Sequence, residues 1–197
     1  MKKNILIAGV GGQGILTIAA IIDGAAMLQG LQLKQAEVHG MSQRGGAVQS
    51  HLRISDSELF SDLIALGEAD LIISLEPMEA LRYLPYLSEQ GTLITATKPF
   101  VNIPAYPDME KIVAEIEKQC PSHYYVDADK LALEAGNPKA VNVVMVGAAA
   151  QHTGIEPLHL KNSLNKLFES KGPNITQSNA IAFELGMKST YLKINAC

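Results

Sequence analysis

The segment Asn4-Ile-Leu-Ile-Ala-Gly-Val-Gly-Gly-Gln-Gly14 decides the fold of this chain. Residues 4–8 form a predicted apolar strand and residues 15–28 an apolar stretch of helical length, so the glycines lie where strand turns into helix. Their spacing fits G-x-G-x-x-G, whose glycines permit a tight turn, close approach of a phosphate, and close helix–strand packing. The segment predicts either a phosphate-binding loop at a helix N-terminus, or a glycine turn that only lets the helix or another subunit pack closely.

The rest of the chain alternates strands and helices. The sequence predicts strands at 33–38, 47–54, 59–64, 69–75, 91–96 and 124–126, and helices at 77–87, 108–119, 127–136, 140–151, 157–169 and 177–192. The nearly continuous apolar run at 69–75 is typical of a parallel strand covered on both faces. We therefore expect an α/β, Rossmann-like fold with a mostly parallel sheet flanked by helices, and an irregular or antiparallel insert around residues 39–46.

Composition narrows the class of protein. The 197 residues are expected to form one domain, and a net charge of −4 without a basic run makes nucleic acid an unlikely partner. The apolar start is too short for a signal peptide and no apolar run has membrane-spanning length, so we expect a cytoplasmic protein without a membrane partner. Cys120 and Cys197 cannot build a disulfide framework, a zinc site or an iron–sulfur cluster within this chain.

A second glycine-rich loop, His39-Gly-Met-Ser-Gln-Arg-Gly-Gly46, follows some thirty residues after the first. Just before it, Glu37 lies near the spacing at which a dehydrogenase places the acidic residue that holds the ribose of NAD. A stand-alone dinucleotide-binding protein therefore stays open as an alternative. The residues after Glu37 do not look like a dehydrogenase.

The two loops together, with the strand end Arg53-Ile54-Ser55, resemble the gamma-type domain of 2-oxoacid:ferredoxin oxidoreductases. The family pattern has a first loop G-x-G-G-Q-G and a second loop G-x-x-x-R-G-G, and both are met here. Pyruvate-type relatives tend to place Tyr before the second-loop glycine, whereas this chain has His39. Together with Gln43 and Ser50-His51, that residue looks more like the indolepyruvate type, and the length matches a free-standing small subunit.

The resemblance implies a role within an enzyme complex. A large alpha subunit would hold thiamine diphosphate and iron–sulfur clusters, and this chain would hold no cofactor alone. The thiamine carbanion attacks an aryl 2-oxoacid such as indolepyruvate, CO2 leaves, electrons pass to ferredoxin, and coenzyme A takes the acyl group. A hetero-oligomer is therefore expected, in which the isolated chain is inactive. A subunit for pyruvate or a branched-chain 2-oxoacid is the alternative within the family.

The resemblance also implies the candidate site. The two loops are expected to contact coenzyme A or substrate through Gly9, Gly11, Gly12, Gln13, Gly14, Gly40, Gln43, Arg44, Gly45 and Gly46. The first loop would form a nest of N–H groups for the coenzyme A pyrophosphate. The Arg44 guanidinium would pair with a phosphate or carboxylate in two parallel hydrogen bonds, or would anchor the large subunit through an ion pair.

Several other residues allow a structural and a functional interpretation. His39 and His51 flank the second loop and either donate to a bound acid or serve a structural role. Asp127 and Asp129 precede a helix, which favours capping over a carboxylate pair. Asn142 begins an Ala/Gly/Val helix and faces either a ligand, a subunit or the core, and the seven methionines fill the core.

Overall fold

The computed structural model describes residues 1–39, 45–101 and 103–194. Its elements are β1 (Lys2–Val10), α1 (Ile15–Leu28), β2 (Gln32–His39), β3 (Ala47–Ser55), β4 (Ala69–Ser74), α2 (Pro77–Tyr83), β5 (Leu87–Ala96), α3 (Met109–Gln119), β6 (His123–Val126), α4 (Ala128–Glu134), α5 (Val141–Ala149), α6 (Pro157–Phe168) and α7 (Pro173–Ile194). Short 3-10 turns occupy Leu84–Tyr86, Ala150–His152 and Glu169–Lys171.

The strands form a mixed sheet in the order β2-β3-β1-β4-β5-β6. Strands β1, β4, β5 and β6 pair in parallel, whereas β3 runs antiparallel to both β1 and β2. The α/β class, the parallel part of the sheet and the antiparallel insert are thereby confirmed. The insert is β3, which follows the second glycine-rich loop and lies directly beside β1.

Helices cover the sheet on two sides. One face packs on α1, α4, α5, α6 and α7, and this larger core cluster contains Ile18, Leu160 and Phe183. The other face packs on α2 and α3 through a smaller cluster that contains Ala80, Ile112 and Ile116. Strand β1 is buried from Asn4 onward because it lies between these two layers, which explains its continuous apolar run.

Helices α5 and α7 touch through their backbones. A Cβ atom added to Gly147 would lie 2.1 Å from the carbonyl oxygen of Phe183, and one added to Gly186 would lie 2.0 Å from that of Val144. Such contact is possible only where both helices lack side chains at the crossing. It explains why α5, buried from Val143 to Ala149, is built from Ala, Gly, Val and Met.

The predicted strand at 59–64 is wrong, because this segment is an irregular loop. Side chains of β3 bind its backbone groups in place of a neighbouring strand. The Ile64 N–H donates to His51 Nδ1 over 3.1 Å, and Arg53 Nη1 donates to the carbonyls of Ser61 (3.0 Å) and Leu63 (3.3 Å). The loop therefore covers the β3 face on the side away from α1.

Some element boundaries also differ from the prediction. The helix from residue 77 ends at Tyr83, and β5 begins at Leu87 rather than at Gly91. Gly91 lies inside β5 at an irregularity in its pairing with β4, where an added Cβ would lie 2.7 Å from the Ala69 carbonyl oxygen. The glycine at which the predicted strand began is therefore an interior residue of β5, where another strand approaches closely. The last helix begins at Pro173, since proline is tolerated in a first helical turn.

Candidate functional site

The candidate site lies where the connections leaving β1 and β4 separate. Helix α1 leaves β1 toward the larger core, whereas α2 leaves β4 toward the smaller one. The carboxyl ends of these adjacent parallel strands therefore border a crevice, the place where α/β sheets bind ligands. The glycine loop after β1 forms one edge of this crevice and Leu75, after β4, forms the other.

The first loop needs its glycines for different reasons. An added Cβ on Gly9 would lie 2.8 Å from Gln13 Oε1, so this position is closed by the loop itself. Gly14 has φ +85° and precedes α1 without any side-chain cap, and a Cβ there would meet Asn142 Nδ2 at 2.7 Å. Gly12 has φ +104° and open space around the Cβ position, so its surface faces the crevice.

Two hydrogen-bond systems hold this loop in shape. The Gln13 side chain accepts from the Val10 N–H at 2.7 Å and donates to the Leu75 carbonyl at 3.1 Å, which joins the loop to the end of β4. The Gly11 N–H donates to the Gly46 carbonyl at 2.9 Å, which joins the two glycine-rich loops. The Gln13 side chain and the Gly11 N–H therefore organise the site. The Thr17 N–H of α1 already donates to the Gly14 carbonyl at 3.0 Å, and the N–H groups that precede it at the helix start are placed to meet an anion.

The second loop is described only from Gly45 onward. Gly45 has φ +77°, and Gly46 accepts the hydrogen bond from the first loop. The predictions for Gly40, Gln43 and Arg44 fall outside the described residues.

The main cavity of the crevice has a volume of about 400 Å³, within the range of small-molecule sites. Two of the residues that line this cavity, Lys98 and Asp129, form an ion pair of 2.7 Å. The Asp129 carboxylate raises the pKa of Lys98. Lys139, just before α5, also lines the cavity. Its described lining residues are Gly12, Gln13, Leu75, Lys98, Pro99, Phe100, Asp129, Pro138, Lys139 and Val141. Two lysines, an uncapped helix start and a single acid suit an anionic ligand.

Asn142, in the first turn of α5, places its side-chain amide beside Gly14. Its Oδ1 accepts from the Val143 N–H at 2.9 Å, which orients the amide so that Nδ2 lies against Gly14. Asn142 is half-buried and is not among the described lining residues of the main cavity, so a ligand-facing role for it stays a prediction. A second cavity of about 300 Å³ lies on the other side of the loop and is mainly apolar, with Val10, Ile15, Leu16 and Val48 in its lining.

Glu76 is a structural centre of the site that sequence reasoning missed. Its side chain is fully buried at the end of β4. Oε2 accepts from the Glu79 N–H at 2.8 Å, while Oε1 accepts from the Phe100 N–H at 3.2 Å and from the Tyr106 hydroxyl. Burial raises the pKa of the Glu79 carboxyl, and burial with the Glu76 hydrogen bond raises the pKa of Tyr106. Its position, as an acidic residue directly after a buried parallel strand, is the sequence feature that could have identified Glu76.

Other residues singled out in the sequence are structural. His51 is buried and accepts a backbone hydrogen bond, and burial lowers its pKa, so it is a neutral structural histidine. Asp127 caps α4 by accepting from the Lys130 N–H at 3.2 Å, as predicted. Asp129 pairs with Lys98 instead of capping. Burial raises the pKa of the Cys120 thiol, which donates to a backbone carbonyl.

Within residues 1–39, 45–101 and 103–194, no three His, Cys, Asp or Glu side chains come together as metal ligands. Nor does any helix in the described ranges combine the length and apolarity needed to cross a membrane.

The family model described as pyruvate ferredoxin/flavodoxin oxidoreductase matches residues 4–189. The chain belongs to this family. It is 39% identical to the protein named indolepyruvate oxidoreductase subunit IorB of Pyrococcus horikoshii, over 99% of this chain and 100% of the relative. It is 36% identical to the protein of that name from Methanothermobacter thermautotrophicus (94% and 96%). A 2-oxoglutarate synthase subunit KorC of Methanothermobacter marburgensis is 30% identical (94% and 95%).

Solved structures share the fold. A 2-oxoglutarate:ferredoxin oxidoreductase from Magnetococcus marinus, solved with 2-oxoglutarate, coenzyme A and succinyl-CoA, superposes with a TM-score of 0.77 at 19% identity. That match covers 97% of this chain but 31% of the larger chain. A pyruvate oxidoreductase subunit PORC from Thermotoga maritima has a TM-score of 0.72 at 22% identity (95% and 96%). The family resemblance predicted from the glycine loops is confirmed.

Proposed function

We propose that this chain is the small subunit of an indolepyruvate-type oxidoreductase that converts arylpyruvates to aryl-acetyl-CoA and passes the electrons to ferredoxin. The observation that carries the proposal is the match with proteins named IorB, at 39% identity over nearly the full length of both chains. KorC relatives are less similar, at 25–30% identity. The loop signature with His39 and Ser50-His51 supports the same subtype.

In this proposal a large partner subunit holds thiamine diphosphate and the iron–sulfur clusters. When bound there, the thiamine supplies the carbanion chemistry that removes CO2 from the 2-oxoacid. The sequence of the present chain has two cysteines, one of them buried and bonded to a backbone carbonyl, which supports placing clusters elsewhere. The chain, as one gamma-type domain over 1–197 in a cytoplasmic complex, completes the site that the partner begins.

The contribution of this chain is to bind and orient coenzyme A. Its pyrophosphate would lie against Gly12 at the uncapped start of α1, where N–H groups and the helix dipole favour negative charge. Lys98, which is paired with Asp129, and Lys139 give the lining of the same cavity a net positive charge, and the Asn142 amide lies beside Gly14. Holding the thiol carrier in one orientation lowers the entropic cost of acyl transfer.

The dinucleotide-binding alternative loses its geometric basis. Because β3 separates β1 from β2, Glu37 lies two strands away from the glycine loop. Two strand spacings amount to about 10 Å. The Glu37 carboxylate also accepts a hydrogen bond of 2.8 Å from Gln35 Nε2, two residues earlier on the same strand. A ribose on the loop would therefore lie beyond the reach of this acid.

The substrate assignment is tested with the complex of this chain and its large subunit. Anaerobic reduction of viologen is measured with indolepyruvate, phenylpyruvate, pyruvate, 2-oxoglutarate and 2-oxoisovalerate, each with coenzyme A. We expect kcat/KM for the two arylpyruvates to exceed the others at least roughly tenfold, which corresponds to about 1.4 kcal/mol of discrimination. A preference for 2-oxoglutarate or pyruvate would replace the indolepyruvate subtype with another member of the family.

The coenzyme A role of this chain is tested separately by Asn142→Asp. Aspartate keeps the size of the side chain and the acceptor for the Val143 N–H, but replaces the donor beside Gly14 with a negative oxygen. We expect the KM for coenzyme A to rise at least roughly tenfold, since a hydrogen bond to a charged group contributes about 1.5–3 kcal/mol. Asn165→Asp, on α6 away from the crevice, serves as the matched control. Equal KM values in both variants would remove Asn142 from the site.

A further inference from the structure

An aromatic side chain stands in the wall of the anion-binding crevice. Phe100 lies two residues after Lys98 and lines the same cavity as Gly12 and Lys139. Its side chain is 41% exposed although it is large and apolar. Among the described lining residues of this cavity it is the only aromatic one. A flat apolar surface thus borders a positively charged site.

The backbone that carries Phe100 is tied to the core. The Phe100 N–H and the Tyr106 hydroxyl both donate to Oε1 of the buried Glu76 carboxylate, so one group holds two points of the loop. Glu76 is itself fixed by the Glu79 N–H, and its carbonyl accepts from Ser74 Oγ at 2.7 Å. An aromatic ring on an anchored backbone loses little conformational entropy when a ligand binds, and this makes it an effective stacking surface.

We propose that Phe100, held in place by Glu76, stacks against the adenine base of coenzyme A. The proposal rests on the coenzyme A role proposed above and adds the recognition of the base. Coenzyme A carries its adenine and its anionic 3′-phosphate at the same end of the molecule. An aromatic face next to two lysines matches that pairing of a planar ring with negative charge. The aryl ring of the 2-oxoacid is also planar, and the test separates it from the adenine base.

The test uses Phe100→Ala in the assembled complex, with two competitive inhibitors of coenzyme A. Adenosine 3′,5′-bisphosphate contains the base, whereas 4′-phosphopantetheine lacks it. Stacking of a base on an aromatic side chain contributes about 1–3 kcal/mol, so we expect the inhibition constant of the bisphosphate to rise roughly 5- to 150-fold. The inhibition constant of 4′-phosphopantetheine and the KM for arylpyruvate should stay within about twofold.

Two further variants sharpen the result. Phe100→Tyr retains the ring and should restore inhibition by the bisphosphate. Phe60→Ala removes a phenylalanine that is 87% exposed on the loop after β3, and should change neither constant. Equal weakening of both inhibitors, a raised KM for arylpyruvate, or loss of subunit association in Phe100→Ala would overturn the assignment of the base. Wild-type activity that does not depend on coenzyme A would instead refute the proposed function itself.

Discussion

Replacing Gly12 with alanine tests why the first loop carries glycine at its most open position. Gly12 has φ +104°, and its Cβ would meet no atom of the described chain within 4 Å. The protein itself therefore needs glycine there only for the backbone conformation, which costs an alanine roughly 1–2 kcal/mol. If a phosphate approaches the loop, the added methyl group occupies the position of the ligand.

The matched control is Gly30→Ala, just beyond the other end of α1. Gly30 has φ +75° and also has open space around its Cβ position. Helix α1 has 14 residues, so the two sites lie roughly 20 Å apart. Each kcal/mol lowers Tm by about 2–4 °C in a chain of this size, so both variants should melt about 2–8 °C below the wild type.

The two variants should differ in ligand binding. Loss of hydrogen bonds between loop N–H groups and a phosphate costs about 1.5–3 kcal/mol, so we expect Gly12→Ala to raise the KM for coenzyme A roughly 10- to 150-fold. Gly30→Ala should leave it within about twofold. The assay is steady-state viologen reduction by the assembled complex, with Tm measured by calorimetry on the same samples. A KM that is the same in both variants would refute a ligand at this loop.

Three more variants test the account of the fold. Gly147→Ala should destabilise the chain by at least about 3 kcal/mol, because the added methyl group would overlap the Phe183 carbonyl oxygen. Urea unfolding measures this change, and a loss below about 1 kcal/mol would contradict the close contact between the helices. Glu76→Gln should lower the free energy of unfolding by about 2–3 kcal/mol, because the NH2 group of the new side chain would face a backbone N–H donor. Glu89→Gln, at an exposed position, is the control and should change stability little. Equal unfolding free energies for the two variants would contradict the anchoring role of Glu76. Burial, and then Glu37, raises the pKa of Asp23 from 3.8 to about 6, so this carboxylate destabilises the fold increasingly as pH rises from 3.8 through 6. Asp23→Asn should therefore stabilise the chain at pH 7 by about 1–2 kcal/mol, after allowance for its partial exposure, and little at pH 3.5, as pH-dependent unfolding will show; a gain independent of pH would argue against this cause.

The features that sequence reasoning predicted are those encoded in short segments. The strand, glycine loop and helix of residues 4–28 are contiguous, so periodicity and glycine spacing were sufficient. The buried run of β4 and the cap by Asp127 are equally local. The insert was predicted as irregular or antiparallel, without a partner strand, because its pairing with β1 joins residues far apart in the chain.

The features that were missed depend on contacts between distant segments. Glu76 reaches the Tyr106 hydroxyl 30 residues away, so its role as an anchor leaves no pattern in its own neighbourhood. The segment 59–64 has strand-like residues, but side chains of β3, namely His51 and Arg53, hydrogen-bond its backbone groups in place of a paired strand. Gly91 and Gly147 are required by atoms of other elements, and glycine alone does not disclose which element approaches.

We propose that this chain completes the site at which coenzyme A receives the acyl group. The most direct measurement is the anaerobic, coenzyme A-dependent reduction of viologen by the large subunit with indolepyruvate, before and after the purified chain is added. We predict that activity appears only when both subunits are present and saturates at one small chain per large chain. Equal activity of the large subunit alone, or chains that do not associate and show no reduction with any 2-oxoacid, would contradict this account.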